Sequence, residues 1–118
     1  MKTLIVSTVL AFITFSAQAA AFQVTSNEIK TGEQLTTSHV FSGFGCEGGN
    51  TSPSLTWSGV PEGTKSFAVT VYDPDAPTGS GWWHWTVVNI PATITYLPVD
   101  AGRRDGTKLP TGAVQWPK

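Results

Sequence analysis

The first apolar stretch of the chain runs from Leu4 to Phe15 and is relieved only by Ser7, Thr8 and Thr14. Lys2 precedes it, and Ser16, Ala17, Gln18, Ala19, Ala20 and Ala21 follow. A positive start, a short apolar middle and an Ala-x-Ala close predict a secretory signal peptide over residues 1–21. Signal peptidase takes small side chains three and one residues before the cut, and both Ala17/Ala19 and Ala19/Ala21 supply them. The apolar run covers 12 positions (4 to 15), whereas a bilayer-spanning helix needs about 20. No stable membrane span is therefore predicted, here or further along.

Beyond residue 21 the pattern changes to short runs rich in Val, Ile, Thr and aromatics, separated by Gly, Pro, Asn and Asp clusters. It predicts strands over Phe22–Thr25, Leu35–Phe41, Ser54–Trp57, Ser66–Tyr72, Trp83–Ile90 and Ile94–Leu97. Phe67, Val69 and Val71 share one strand face, with Ala68, Thr70 and Tyr72 on the other. Both faces are largely apolar, which places that strand inside a sandwich rather than at its edge. No stretch combines helical periodicity with capping signals, and no repeat or low-complexity tract occurs. Gly112 to Lys118 shows no closing strand or helix. The fold class is all-β, with one small domain over residues 22–118.

Cleavage after Ala21 leaves 97 residues (118 minus 21), a size that buries only about two-thirds of its unfolded surface. Losing Lys2 moves the net charge from −1 to −2, with 6 basic against 8 acidic residues. Arg103, Arg104 and Lys108 form the one basic cluster, which a solvated loop explains, so no nucleic-acid partner is expected. In an oxidising compartment the single cysteine, Cys46, reads as a buried inert thiol, an intermolecular partner, or half of a missing pair.

Candidate chemistry concentrates in Tyr72-Asp73-Pro74-Asp75-Ala76-Pro77-Thr78-Gly79-Ser80-Gly81-Trp82-Trp83-His84-Trp85. One strand ends in two acids separated by a proline, and the next opens on a histidine among tryptophans. Side by side, the two strands gather Asp73, Asp75 and His84 at one end of a sheet. There the carboxylates would favour the charged, two-donor imidazole, and Trp82, Trp83 and Trp85 would supply walls of low polarity. The same residues also read as turn chemistry, because Asp side chains accept from backbone N–H groups two residues on. Two carboxylates and one histidine are weak grounds for a metal site, and no serine or thiol stands out as a nucleophile beside His84. His39 reads as a strand residue without a partner nearby in sequence.

The stretch from Gly48 to Ala92 resembles the phosphatidylethanolamine-binding protein (Raf kinase inhibitor-like) family, closest to its exported bacterial branch. The matching motifs are Asn50-Thr51-Ser52-Pro53-Ser54-Leu55-Thr56-Trp57, Val60-Pro61-Glu62-Gly63-Thr64-Lys65-Ser66, Asp73-Pro74-Asp75-Ala76-Pro77, Trp83-His84-Trp85 and Val87-Val88-Asn89-Ile90-Pro91. They occur in order and in register, and the likeness extends to about Gln115. The resemblance implies a Greek-key β-sandwich with a small anion pocket at one end. It assigns ligand binding to Asp73, Pro74, Asp75, His84 and Trp85.

Family domains carry a second motif, a Gly-x-x-x-Pro-type loop and a His-x-Tyr strand, which Val99 to Lys118 does not match. The expectation is a C-terminally truncated domain with an incomplete pocket. Relatives can tie the Cys46 loop to a cysteine near that second motif, so the resemblance implies that its partner is missing. The functional expectation is an exported, non-enzymatic protein that binds a phosphate-bearing small ligand or phosphorylated group, impaired by truncation, with no cofactor. The alternatives are a protein-interaction module that modulates an enzyme or host protein, and a nonfunctional product. The expected location is the periplasm.

Overall fold

The computed structural model describes residues 20–116. The predicted signal peptide lies outside them except for Ala20 and Ala21, which are exposed and without regular structure. The strands are β1 (Gln23–Thr25), β2 (Ser42–Gly43), β3 (Cys46–Glu47), β4 (Leu55–Ser58), β5 (Ser66–Asp73), β6 (Trp82–Pro91), β7 (Tyr96–Leu97) and β8 (Val114–Trp116). A single-turn 3-10 helix occupies Thr37–His39. The fold is mainly β, with antiparallel sheets β1-β4-β7, β2-β3 and β5-β6-β8.

β4 shows why these sequences pair as they do. Leu55 and Trp57 are buried while Thr56 and Ser58 are exposed, the period-two pattern of a strand with one wet face. Its inner residues meet Trp85, Val87 and Ile90 of β6, together with Leu97 and Ala101, in one core cluster. Phe67 of β5 packs edge-on against Trp57 with ring centroids 5.3 Å apart, so the two three-stranded sheets share a core. Glu28 ties the start of β4 down, because its Oε2 accepts from Ser54 N–H (2.8 Å) and Ser54 Oγ–H (2.7 Å).

Five expectations need correction. Leu35–Phe41 does not form a strand. Its backbone instead meets the 48–51 loop, where Gly49 N–H donates to Thr37 O and Thr51 N–H to Ser38 O, both at 2.9 Å. His39 lies on the 3-10 turn and not in a strand, and its Nδ1 donates to Thr51 O, 12 residues along the chain, at 2.7 Å. β5 pairs only with β6 among the described residues and is an edge strand, and Ala68, Thr70 and Tyr72 on its outer face are exposed. The stretch read as lacking a closing strand contains β8, whose pattern is inverted. Gln115 points inward at 5% exposure while Val114 and Trp116 are exposed. A sheet with a polar residue inside escapes a reading based on apolar alternation. Cys46, on the β2–β3 hairpin, is exposed, so it is not a buried inert thiol.

Candidate functional site

β5 and β6 end their ladder at Asp73 opposite Trp82, and the connection between them carries the acids. Asp73 Oδ1 accepts from Asp75 N–H at 2.9 Å, closing the local turn that Asp side chains favour. Further along, Thr78 Oγ1 donates to Gly81 O (2.6 Å) and Tyr72 Oη donates to Ser80 O (2.7 Å). Gly81 adopts φ +72° with its α-carbon against the Tyr72 ring and Asp73 O, where no side chain fits. Tyr72 therefore clasps the far end of the loop whose near end is fixed by Asp73.

His84 occupies an irregular position. Val71 faces Trp85 and Tyr72 faces Trp83, which leaves His84 as the extra residue of a bulge in β6. Bulges bend a strand and re-aim a side chain. Here the imidazole Nε2 lies 3.5 Å from Asp73 Oδ2. Asp73 shares the strand face of Phe67, Val69 and Val71, so the pair sits at the end of the core-facing side of the sheet. The side chains are 46% and 44% exposed, and a solvated pair at this distance is worth at most about 1 kcal/mol.

The structure thus unites Asp73 with His84 and holds Asp75 to Asp73 through its backbone. Pro74 is exposed between the acids. Trp85 is 8% exposed, in the core, and its indole N–H donates to Gln115 Oε1 at 3.0 Å. The expectation of three tryptophan walls is corrected. Trp82 and Trp83 are more than half exposed, and Trp83 packs on Tyr72 with centroids 4.7 Å apart. Among the described residues no group of three or more His, Cys, Asp or Glu side chains could hold a metal ion. Two cavities lie elsewhere. One of about 410 Å³ is lined by Val24 to Ser26 and Ile29 to Thr31, and one of about 210 Å³ lies beside Arg104, Leu109 and Gln115.

Sequence reasoning missed three contributors: Tyr72, Gln115 and the Glu28–Ser54 clamp. The motif from Asn50 to Trp57 held a signal for the third. Its polar residues tie loops together, with Ser52 Oγ accepting from Gly102 N–H (2.9 Å) and Ser52 O from Asp100 N–H (2.8 Å). Nothing in the linear pattern joined Gln115 to Trp85.

Comparison with known proteins brings in the relatives. A family profile described as phosphatidylethanolamine-binding protein matches residues 25–117. YbcL of Escherichia coli is 99% identical over 115 residues, covering 98% of this chain and 63% of YbcL. YbhB of the same organism is 54% identical over 90 residues, covering 76% of this chain and 56% of YbhB. The crystal structure of E. coli YbcL, described as a new member of the mammalian PEBP family, superposes with a TM-score of 0.79 at 98% identity. That match covers 80% of this chain and 58% of the other. A phosphatidylethanolamine-binding protein homolog from Chlamydia trachomatis gives a TM-score of 0.62 at 30% identity, covering 80% of this chain and 56% of the other. The chain spans less than two-thirds of the length of these relatives.

Proposed function

The chain belongs to the phosphatidylethanolamine-binding protein family, and on that footing we propose that it is an exported binding protein for a phosphate-bearing small ligand or phosphorylated group. The observation that carries this reading is the Asp73–His84 pair, set at a strand bulge and open to solvent. An imidazolium N–H donates to a phosphate oxygen, and the carboxylate beside it can accept from an ammonium group. Ionised Asp73 and Asp75 with protonated His84 sum to −1, so a bare phosphate is poorly matched. A ligand with an ammonium near its phosphate, such as phosphoethanolamine, offers each charge an opposite partner. The expected signal peptide favours a periplasmic location in this reading, which cell fractionation with N-terminal sequencing tests.

The deciding experiment is calorimetric titration of the folded chain, and of E. coli YbcL, with phosphoethanolamine. Saturable binding that weakens at least about tenfold in His84→Ala supports the site, since hydrogen bonds to charged groups contribute roughly 1.5–3 kcal/mol. No heat from either folded protein sinks it.

A second reading, a module that binds another protein, is favoured by the exposed outer face of β5-β6-β8. Tyr72, Trp83, Val88, Val114 and Trp116 are all more than a third exposed there. Capture of a periplasmic protein that survives His84→Ala favours this reading. A disordered circular dichroism spectrum for the isolated chain eliminates both readings for it.

A further inference from the structure

Gln115 is the polar side chain that this fold buries in the β5-β6-β8 sheet, and both ends of its amide are engaged. Its Oε1 accepts from the Trp85 indole N–H at 3.0 Å, and its Nε2 donates to Arg103 O. In register it stands opposite Val87, between the two places where β6 departs from regular pairing with β5. One is the His84 bulge. The other lies at Val88–Asn89, where Phe67 faces Ile90 but Val69 faces Val87, and Asn89 adopts φ +58°. The short regular segment Trp85 to Val87 is thus held by β5 on one side and β8 on the other, and Gln115 provides its side-chain fastening.

We infer that Gln115 is a positioning residue for the candidate site, fixing the Trp85 indole and, through it, the bulge that presents His84 to Asp73. The inference rests on the proposed reading of that site as a binding site. The physical argument is one of alternatives. The Trp85 indole N–H is buried and donates to a single acceptor, so without Gln115 it stays unpaired or the ring turns to find water. Trp85 directly follows the extra residue of the bulge, so any backbone shift that re-seats its ring is passed first to His84. The other half of the amide reaches the 100–108 loop, where the Arg103 guanidinium meets Asp100 (3.5 Å) and Asp105 (3.3 Å). That loop is accordingly the outer anchor of the device.

The test is a double-substitution cycle of Gln115→Leu and Trp85→Phe, read by imidazole NMR of His84 and by calorimetry with phosphoethanolamine. Each single substitution should move the His84 imidazole resonances while leaving those of His39 in place. Each should also weaken binding about tenfold, the scale of one lost buried partner. The double substitution should be no worse than either alone, because both remove the same contact. Additive effects, or unmoved His84 resonances in a folded Gln115→Leu chain, overturn the inference. If Gln115→Leu does not fold, Trp85→Phe removes the donor without stranding it and carries the test alone, and unmoved His84 resonances then overturn the coupling. Wild-type protein that ignores phosphoethanolamine while Gln115→Leu still moves His84 sinks the binding reading and leaves the coupling standing.

Discussion

Glu28 and His84 show how differently two exposed ionisable residues can act. Glu28 Oε2 gathers Ser54 Oγ–H, Ser54 N–H and Ser26 Oγ–H, and Ser54 itself is 2% exposed. The hydrogen bond from the Ser54 side chain, then that from its backbone, holds the Glu28 carboxyl below its ordinary 4.5. A carboxyl lowered in the folded state contributes stability that is fully present above its unfolded pKa. That contribution disappears as pH falls through the lower folded value. Wild-type protein should therefore lose thermal stability as pH drops below 4.5, and Glu28→Gln should lower the melting temperature at neutral pH and flatten that acid-side slope. Asp105, lowered first by Thr107 N–H, titrates in the same direction, so the difference between the two proteins is the measurement that isolates Glu28. A slope unchanged by Glu28→Gln would refute the clamp. His84 behaves oppositely. Its solvated contact with Asp73 is worth at most about 1 kcal/mol, so His84→Ala should shift the urea midpoint little while weakening ligand binding at least about tenfold. A large loss of stability would recast the pair as structural.

At the scale of the strand, β6 carries most of the argument, and its irregularities explain what the sequence could and could not disclose. The extents of β4, β5 and β6 were legible to within one residue, because their apolar runs are bounded by turn residues, and in β4 burial also follows the period of the strand. The gathering of Asp73 and His84 was legible too, since adjacent antiparallel strands bring their ends together. The bulges were not. An extra residue leaves no mark on composition, and only Asn89, a residue type that tolerates left-handed backbone, hints at one. β8 was hidden for the reason given by Gln115, whose burial depends on an acceptor–donor match with Trp85 and Arg103 that lie far away in sequence. The 35–41 segment was misread because Val40 and Phe41 are strand-like while the backbone bonds of that segment go to a glycine-rich loop. Asn89 makes the point testable. Asn89→Gly should be nearly neutral, whereas Asn89→Val places a β-branched side chain at φ +58° and should destabilise by about 1–2 kcal/mol. Urea unfolding measures both, and equal midpoints would show that the bulge relaxes at no cost.

Taken whole, the molecule has a narrow core and a generous apolar exterior. Its buried apolar residues are Leu55, Trp57, Trp85, Val87, Ile90, Leu97 and Ala101, and the Trp57 indole N–H is buried without a partner among the described residues. Against that, the outer face of β5-β6-β8 presents Tyr72, Trp83, Val88, Val114 and Trp116, flanked by the edges of β5 and β8, which pair with no further strand among the described residues. An uncovered apolar face beside unpaired strand edges invites association. Charge does little to oppose it, since the chain carries a formal net charge of only −1. Val114 faces Val88 and Trp116 faces Thr86 across the sheet, so a lysine at 116 would put a charge onto that face without touching the core. Trp116→Lys should therefore raise the protein concentration at which light scattering grows. It should leave the melting temperature near that of the parent, because Trp116 is 73% exposed. If scattering stays the same while Cys46→Ser suppresses it, association runs through the exposed hairpin thiol and not through the sheet. If neither substitution changes it, the free edges themselves are the adhesive element, and proline placed in β8 becomes the informative change because it removes a ladder donor.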